Sequence, residues 1–424
     1  MKAVLSNRIY LEVTPEYGDF LKETLTYKIP SYHDPETPIL IRNFGIIRAG
    51  LMTIPIGRVD LIPPDYEIVD KRVLVPGEFP EFKFPLRPSQ QEIHDDLNDN
   101  CIINAKPSWG KTFAGLAIAG KLSQKTLVVV HTVPLRNQWA KEVKKVYGIE
   151  PGVIGSGKLN TTGPITIGNV QSIYNCMDQI QKTFGTVILD EMHHVSSPTF
   201  ARVLDKSYAR YKIGLSGTIK RKDGKDIVFT DYFGKKLYKP PPENSMAPEV
   251  DVINCGLQIP EVIGGSWAHR VNALMEAPEY QQLVMRLADY YAQREHKILV
   301  VQDRVEFAKL CAGQREKAVA ITGDLKEERE FEMDRINTDM DEIWGITSIF
   351  KEGISKDILS CIILAGPINN DPMLEQLVGR IQRIQPGKQT PRVVDIRLSG
   401  WTGEKQFQAR LGFYMRMGYK INYL

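Results

Sequence analysis

From about residue 89 onward the chain alternates short, largely apolar runs with longer amphipathic stretches. The first set of runs covers residues 101–103, 126–130, 186–189 and 212–215. The second covers 298–301, 318–321, 343–346, 361–364 and 392–395. Runs that stay apolar on both faces, without a period of two, predict strands covered on each side. Helical stretches between most of them predict βαβ units and a parallel sheet, once in each set. Residues 1–80 read differently. Short β-type runs at 9–13, 38–41 and 51–56 alternate with turns, and a helical stretch spans 17–27. Prolines at 76, 80, 85 and 88 then punctuate the chain and mark a boundary. The predicted organisation is a small α+β domain at 1–80, an α/β domain at 81–238, a linker at 239–265 that opens on Pro240-Pro241-Pro242, and a second α/β domain at 266–424.

Composition narrows the class without choosing a partner. The 424 residues are 42% apolar and 25% charged, as in an ordinary globular protein, and suffice for two or three domains. No uninterrupted apolar run approaches the roughly 18 residues of a membrane span, so no membrane partner is expected, and a cytoplasmic location is. The five cysteines are scattered without a close pair, which argues against a zinc site or a disulfide framework. A net charge of +3 leaves any nucleic-acid groove to a local patch; Arg42, Arg48 and Arg58 in the first 80 residues are candidates for one.

Chemistry enters after the first apolar run. Ala105 to Thr112 carries Ser108, Trp109, Gly110, Lys111 and Thr112 between a predicted strand and a predicted helix. A Gly-Lys-Thr core in that setting holds phosphates on backbone N–H groups and the helix N-terminus. Lys111 reaches the β and γ phosphates, and the Thr112 hydroxyl reaches Mg²⁺. Ala105 stands where the usual pattern begins with glycine. Further on, the run 187–189 ends in Asp190-Glu191-Met192-His193. An acidic pair at the carboxyl end of a parallel strand suits a Mg²⁺-bound phosphate, with Asp190 on the metal and Glu191 as the base for water. His193 and His194 lack further ligands at metal spacing, and His193 reads better as a link from the acid to a neighbouring segment. Trp139 lies on an amphipathic helical stretch and reads as core; a bulky Trp109 inside the phosphate loop has no explanation at this level.

These blocks together resemble helicase superfamily 2, in particular its XPB-like and phage UvsW-type branch-migration enzymes. Asp190-Glu191-Met192-His193 resembles the second motif of that superfamily, and Ser216-Gly217-Thr218 the third, which couples hydrolysis to domain movement. Gln376-Leu377-Val378-Gly379-Arg380-Ile381-Gln382-Arg383 resembles the sixth; read as one helix, it sets Gln376, Arg380 and Arg383 on a shared face. Arg87 and Gln90 fall in a block resembling the adenine-recognition motif. Thr347 to Ile354, with Glu352 and Gly353 beside the nucleotide, resembles the fifth motif. Pro134, Leu135, Arg136 and Gln138, followed by Asn169 and Gln171, fall where the family contacts nucleic acid.

The resemblance implies two RecA-like domains behind the accessory domain, with ATP and Mg²⁺ bound by the first and completed by Arg380 and Arg383 of the second. It also implies a DNA helicase or translocase moving 3′→5′ on single-stranded, forked or branched DNA. Two rivals remain open: an RNA helicase or non-unwinding duplex translocase, and a nucleotide switch that does not translocate.

Overall fold

A computed structural model describes residues 1–29, 38–194, 198–217, 225–243, 245–262, 265–325, 328–351 and 356–424. Cα packing divides the chain into two compact units, one of residues 1–106 and 110–241, the other of residues 107–109 and 242–424.

The first unit contains an eight-stranded sheet. Its order is Lys158–Leu159, Gly152–Gly155, Ile165–Asn169, Thr126–Val130, Thr186–Asp190, Tyr211–Ser216, Cys101–Asn104 and Leu237–Tyr238. Every pairing is parallel except the hairpin of Lys158–Leu159 with Gly152–Gly155. The strands Thr126–Val130 and Thr186–Asp190 are buried at every position, which is why they read as continuous apolar runs. Because these strands run the same way, Asn169, Val130, Asp190, Ser216 and Asn104 all lie at one edge of the sheet, the carboxyl edge, across five adjacent strands. Ligands of open parallel sheets bind outside that edge.

Residues 1–80 belong to this same unit. Their five-stranded sheet runs Gly45–Arg48, Leu51–Ile54, Ile9–Glu12, Lys2–Leu5 and Glu67–Asp70, antiparallel except for the last pair. The core under it is shared: Leu11, Leu21, Met52 and Ile54 join one apolar cluster with Ile102, Phe229 and Phe233. A buried polar knot fixes the junction. Asp231 is fully buried; it accepts hydrogen bonds from the Tyr27 hydroxyl (2.8 Å) and the Asn43 amide (2.8 Å), with the Arg58 guanidinium 3.4 Å away. Burial raises the Asp231 carboxyl above the usual range, while those three groups favour its charged form. Gly57 is required here, since a Cβ at that position would strike the Thr230 carbonyl. Arg58 therefore faces Asp60 and Asp231 inside the protein and offers no basic surface, contrary to the expectation from composition. Arg42 and Arg48 are exposed.

The second unit is a seven-stranded, wholly parallel sheet in the order Ala318–Ile321, Glu342–Ile346, Ile298–Gln302, Cys361–Leu364, Arg392–Ser399, Glu249–Gln258 and Lys420–Tyr423. Here the expected linker at 239–265 needs correcting. It contains the ten-residue strand Glu249–Gln258, which pairs on both sides within this sheet. The polar Asp251 breaks the apolar run, but it is buried and accepts from the Tyr291 hydroxyl (2.6 Å) and the Asn422 amide (2.8 Å). Among the described residues no helix is long and apolar enough to cross a membrane.

Candidate functional site

The phosphate loop follows strand Cys101–Asn104 and ends in helix Lys111–Leu122. Ser108 and Gly110 both take positive φ, 71° and 91°, and Gly110 caps the helix in the left-handed region. A side chain there would also meet the Gln90 amide nitrogen at 2.9 Å, so glycine is needed for conformation and for space. The same contact places Gln90, and the Arg87 guanidinium slightly farther off, over the loop. Gln90 is buried, and its Oε1 accepts from the Arg87 backbone N–H at 3.0 Å, closing the N-terminal turn of helix Pro88–Asp96. The Lys111 ammonium donates to the Ala105 carbonyl at 3.2 Å and lies beside Gly217. Thr112 follows it in the first turn of the helix.

Two strands away, Asp190 ends Thr186–Asp190 and is buried. Its Oδ1 accepts from the Glu191 N–H at 3.0 Å, and its Oδ2 accepts from the Trp139 indole N–H at 2.7 Å. Burial, and then the neighbouring Glu191 charge, push the Asp190 carboxyl up to about 6; Trp139 and Lys111 pull the other way. A divalent cation would relieve that electrostatic cost, so the donor set fits Mg²⁺: a buried carboxylate, a second carboxylate and a threonine hydroxyl, all oxygen donors. Glu191 has φ +50°, a left-handed conformation that costs a non-glycine residue about 1–2 kcal/mol. Such strain is common where side-chain direction matters for function. His193 Nδ1 sits 3.3 Å from Glu191 Oε2 and 3.2 Å from the buried Ser216 hydroxyl.

On the far side of Asp190 lies a second cluster. Helix Val133–Tyr147 starts at Thr132, whose hydroxyl caps it, with Pro134 in the first turn. The Arg136 guanidinium is buried against the Asn169 side-chain oxygen (3.1 Å) and the Ser156 hydroxyl (3.4 Å). It has no acidic partner among the described residues, and burial alone lowers its pKa. A buried cation without a counter-charge is costly unless an anion arrives. Gln138 and Pro134, on the same helix, are half-buried, and Gln171 is exposed.

Several expected placements fail. Leu135 is buried, so its side chain is core and offers no nucleic-acid contact. Thr347 is also buried, its hydroxyl donating to the Gln302 carbonyl at 3.1 Å, because it starts helix Thr347–Lys351 directly under strand Ile298–Gln302. Arg380 and Arg383 do not share a helical face with Gln376: helix Asp371–Val378 ends first, and the turn tightens through Arg380 N–H to the Leu377 carbonyl. Arg380 Nε then donates to the Phe350 carbonyl at 3.1 Å, and Arg383 pairs with Asp357. The Gln376 Oε1 atom is buried with no hydrogen-bond partner among the described residues. Trp139, by contrast, is buried as its amphipathic helix predicts, and Trp109 is buried as well. Thr218, Glu352 and Gly353 lie outside the described residues.

The hydrogen bond of Trp139 to Asp190 has no announcement in the sequence. Burial of Trp139 is legible from helix periodicity, and an indole N–H in a core needs an acceptor, but nothing local names one.

A triphosphate-binding loop and an acidic pair at one edge of a parallel sheet define the class, that of α/β nucleoside triphosphatases. A family model described as the type III restriction enzyme res subunit matches residues 83–221. The chain is 40% identical to the probable helicase D10 of Escherichia phage T5, over 99% of this chain and 95% of that one. It is 27% identical to the DNA 3′-5′ translocase XPB2 of Sulfurisphaera tokodaii, over 50% of this chain and 46% of the other. The solved structure of Mss116p bound to ssRNA and AMP-PNP shares the fold, with a TM-score of 0.60 at 16% identity over 81% of this chain and 75% of that one. The chain belongs to helicase superfamily 2, the nucleic-acid-dependent ATPases with paired RecA-like domains.

Proposed function

We propose that the chain is an ATP-dependent DNA helicase or translocase that works on forked or branched DNA. The observation that carries this reading is the order of groups along one sheet edge. Phosphate-loop residues sit at Asn104, the acidic pair at Asp190, and the uncompensated Arg136 with Asn169 beyond it. The acidic pair and a phosphate-hungry cation are thus separated by the single strand Thr126–Val130.

ATP would lie with its phosphates over the N-terminus of helix Lys111–Leu122, where backbone N–H groups and the helix dipole favour anions. Lys111, now on the Ala105 carbonyl, would exchange that acceptor for the β and γ phosphates. Arg87 and Gln90 would hold the adenine edge, a Gln amide being both donor and acceptor. Thr112 and Asp190 would hold Mg²⁺, which when bound neutralises charge on the phosphate oxygens. Glu191 would take the proton of the attacking water, and His193 would report its state to Ser216 and Gly217. A role for Arg380 and Arg383 on the transferred phosphate rests on their motif spacing. The backbone of nucleic acid would meet Arg136, with Asn169, Gln171, Pro134 and Gln138 around it.

The name of the XPB2 relative supports DNA, and the exposed Arg42 and Arg48 among residues 1–80 support a branched substrate. The RNA-bound fold relative keeps an RNA helicase as the second reading. The deciding experiment is ATP turnover measured with single-stranded, duplex, forked and four-way DNA and with matched RNAs. Strongest stimulation by forks or junctions is expected. Strongest stimulation by RNA would replace DNA with RNA as the substrate, and turnover indifferent to every polymer would leave only a nucleotide switch.

A further inference from the structure

Trp139 occupies a position that packing alone does not explain. It lies in the middle of helix Val133–Tyr147, fully buried, one turn beyond Arg136. Its six-membered ring presses on the phosphate-loop helix at Gly115, where a Cβ would come within 3.1 Å of it. Leu215, on the strand that leads into Ser216, packs against the same spot, 3.2 Å from that Cβ position. The other end of the indole donates its N–H to Asp190 Oδ2 at 2.7 Å. One side chain therefore touches the helix that follows the phosphate loop and the acidic residue of the second motif, and the strand of the third motif packs on that same helix at Gly115. It does so from the helix whose first turns carry the candidate nucleic-acid contacts.

The geometry points to Trp139 as the positioning residue for Asp190, the element through which helix Val133–Tyr147 sets the metal-holding carboxylate according to what Arg136 binds. This inference rests on the proposed function. The physical grounds are two. Among the described residues Asp190 Oδ1 is held by the next residue's own N–H, so Trp139 supplies the constraint from outside the loop. A charge-assisted hydrogen bond from a buried donor also fixes direction: rotating the carboxylate would strand the indole N–H without an acceptor. A small shift of helix Val133–Tyr147 would then be felt at Asp190 directly, through one rigid ring.

Two variants test it. Trp139→Phe removes the N–H with some reduction in volume. Replacement of Trp139 by benzothienylalanine, in which sulfur stands for the N–H, removes the donor and keeps the shape. The first readout is Mn²⁺ affinity in the presence of a non-hydrolysable ATP analogue, measured by electron paramagnetic resonance. Outer-shell partners of metal ligands are worth roughly 10–100-fold in metal affinity, and a loss near the lower bound, about 10-fold, is expected for both variants. The second readout is the ratio of DNA-stimulated to unstimulated ATP turnover, expected to fall in both. A purely structural tryptophan would leave the benzothienyl protein like wild type in both readouts, and that result overturns the inference. Wild type is run first: if DNA fails to stimulate its ATP turnover, the proposed function is what fails. If wild type is stimulated and the isosteric variant matches it, only the role of Trp139 falls.

Discussion

The chemistry of single residues yields the sharpest tests. Lys111 is the cation at the phosphate loop with a flexible reach to the β and γ phosphates, so Lys111→Ala is expected to abolish ATP hydrolysis at saturating ATP and DNA. Glu191→Gln is expected to bind ATP normally, by fluorescent-nucleotide titration, while turnover falls by several orders of magnitude, since an amide cannot accept the water's proton. Retained hydrolysis in either variant would remove that residue from the site. For Arg380, assigned on motif spacing, Arg380→Ala should leave ATP affinity within several-fold and slow hydrolysis by on the order of 10³-fold or more. Arg380→Lys should rescue little, because a point charge lacks the planar fork. Wild-type turnover in Arg380→Ala would exclude it from the chemistry. At this scale the candidate nucleotide residues are legible in the sequence, because their motifs are contiguous and fix side-chain chemistry and spacing together. It is a poor guide wherever a partner lies far along the chain. Trp139 reads as plain core because Asp190 comes 51 residues later, and Arg58 reads as surface because Asp231 comes 173 residues later.

Among the elements, strands buried on both faces are legible from apolar runs, and the same rule hides the strand that breaks it. Glu249–Gln258 carries Asp251 at a buried position, and the tyrosine and asparagine that satisfy it come from Tyr291 and Asn422. No local pattern announces such a rescue. The helix of the sixth motif reads as too long for the converse reason: its residue types suit a helix through Arg383, yet the chain turns after Val378. Strand Tyr211–Ser216 holds another unadvertised group. Lys212 is fully buried, its ammonium donating to the Ser207 carbonyl at 3.0 Å, and burial lowers its pKa from 10.5 to about 7. The unfolded chain then holds a proton that the folded chain lacks between about pH 7 and 10.5, so this group makes stability rise with pH across that window. Lys212→Met should flatten the rise and raise the melting temperature at pH 7. An unchanged slope of melting temperature against pH would show that Lys212 is solvated. The short helix Phe229–Phe233 gives a complementary test. Asp231→Ala leaves the buried Arg58 without this carboxylate and should destabilise the first unit by about 3–5 kcal/mol in urea unfolding. A change under about 1 kcal/mol would mean that the knot is open to water.

For the whole molecule, the accessory sheet is the part whose purpose sequence motifs leave open. Arg48 is exposed on it and Arg42 on the separate two-stranded ribbon of Thr26–Ile29 with Ile39–Arg42, and the reading of a fork-selecting surface rests on these two without Arg58. Arg42→Glu with Arg48→Glu is expected to weaken binding to forks more than to single strands. It should also flatten the salt dependence by about one log–log unit for each phosphate that is no longer neutralised. Equal effects on both substrates would reduce this sheet to scaffolding. Deleting residues 1–80 is a blunt tool by comparison, because the apolar cluster shared by Leu11, Met52, Ile102 and Phe233 would be opened on the motor side. The same sharing bears on how the protein comes into being. Tyr27 and Asp231, joined in the finished knot, are 204 residues apart, so the sheet made first on the ribosome cannot complete its base until more than half of the chain has been translated. Until then its apolar underside stays uncovered in the nascent polypeptide, at a stage when unfinished chains are prone to aggregate. Synthesis rate and chaperone supply thus become determinants of yield for this protein, and messages truncated before codon 231 should produce fragments that are insoluble or quickly degraded.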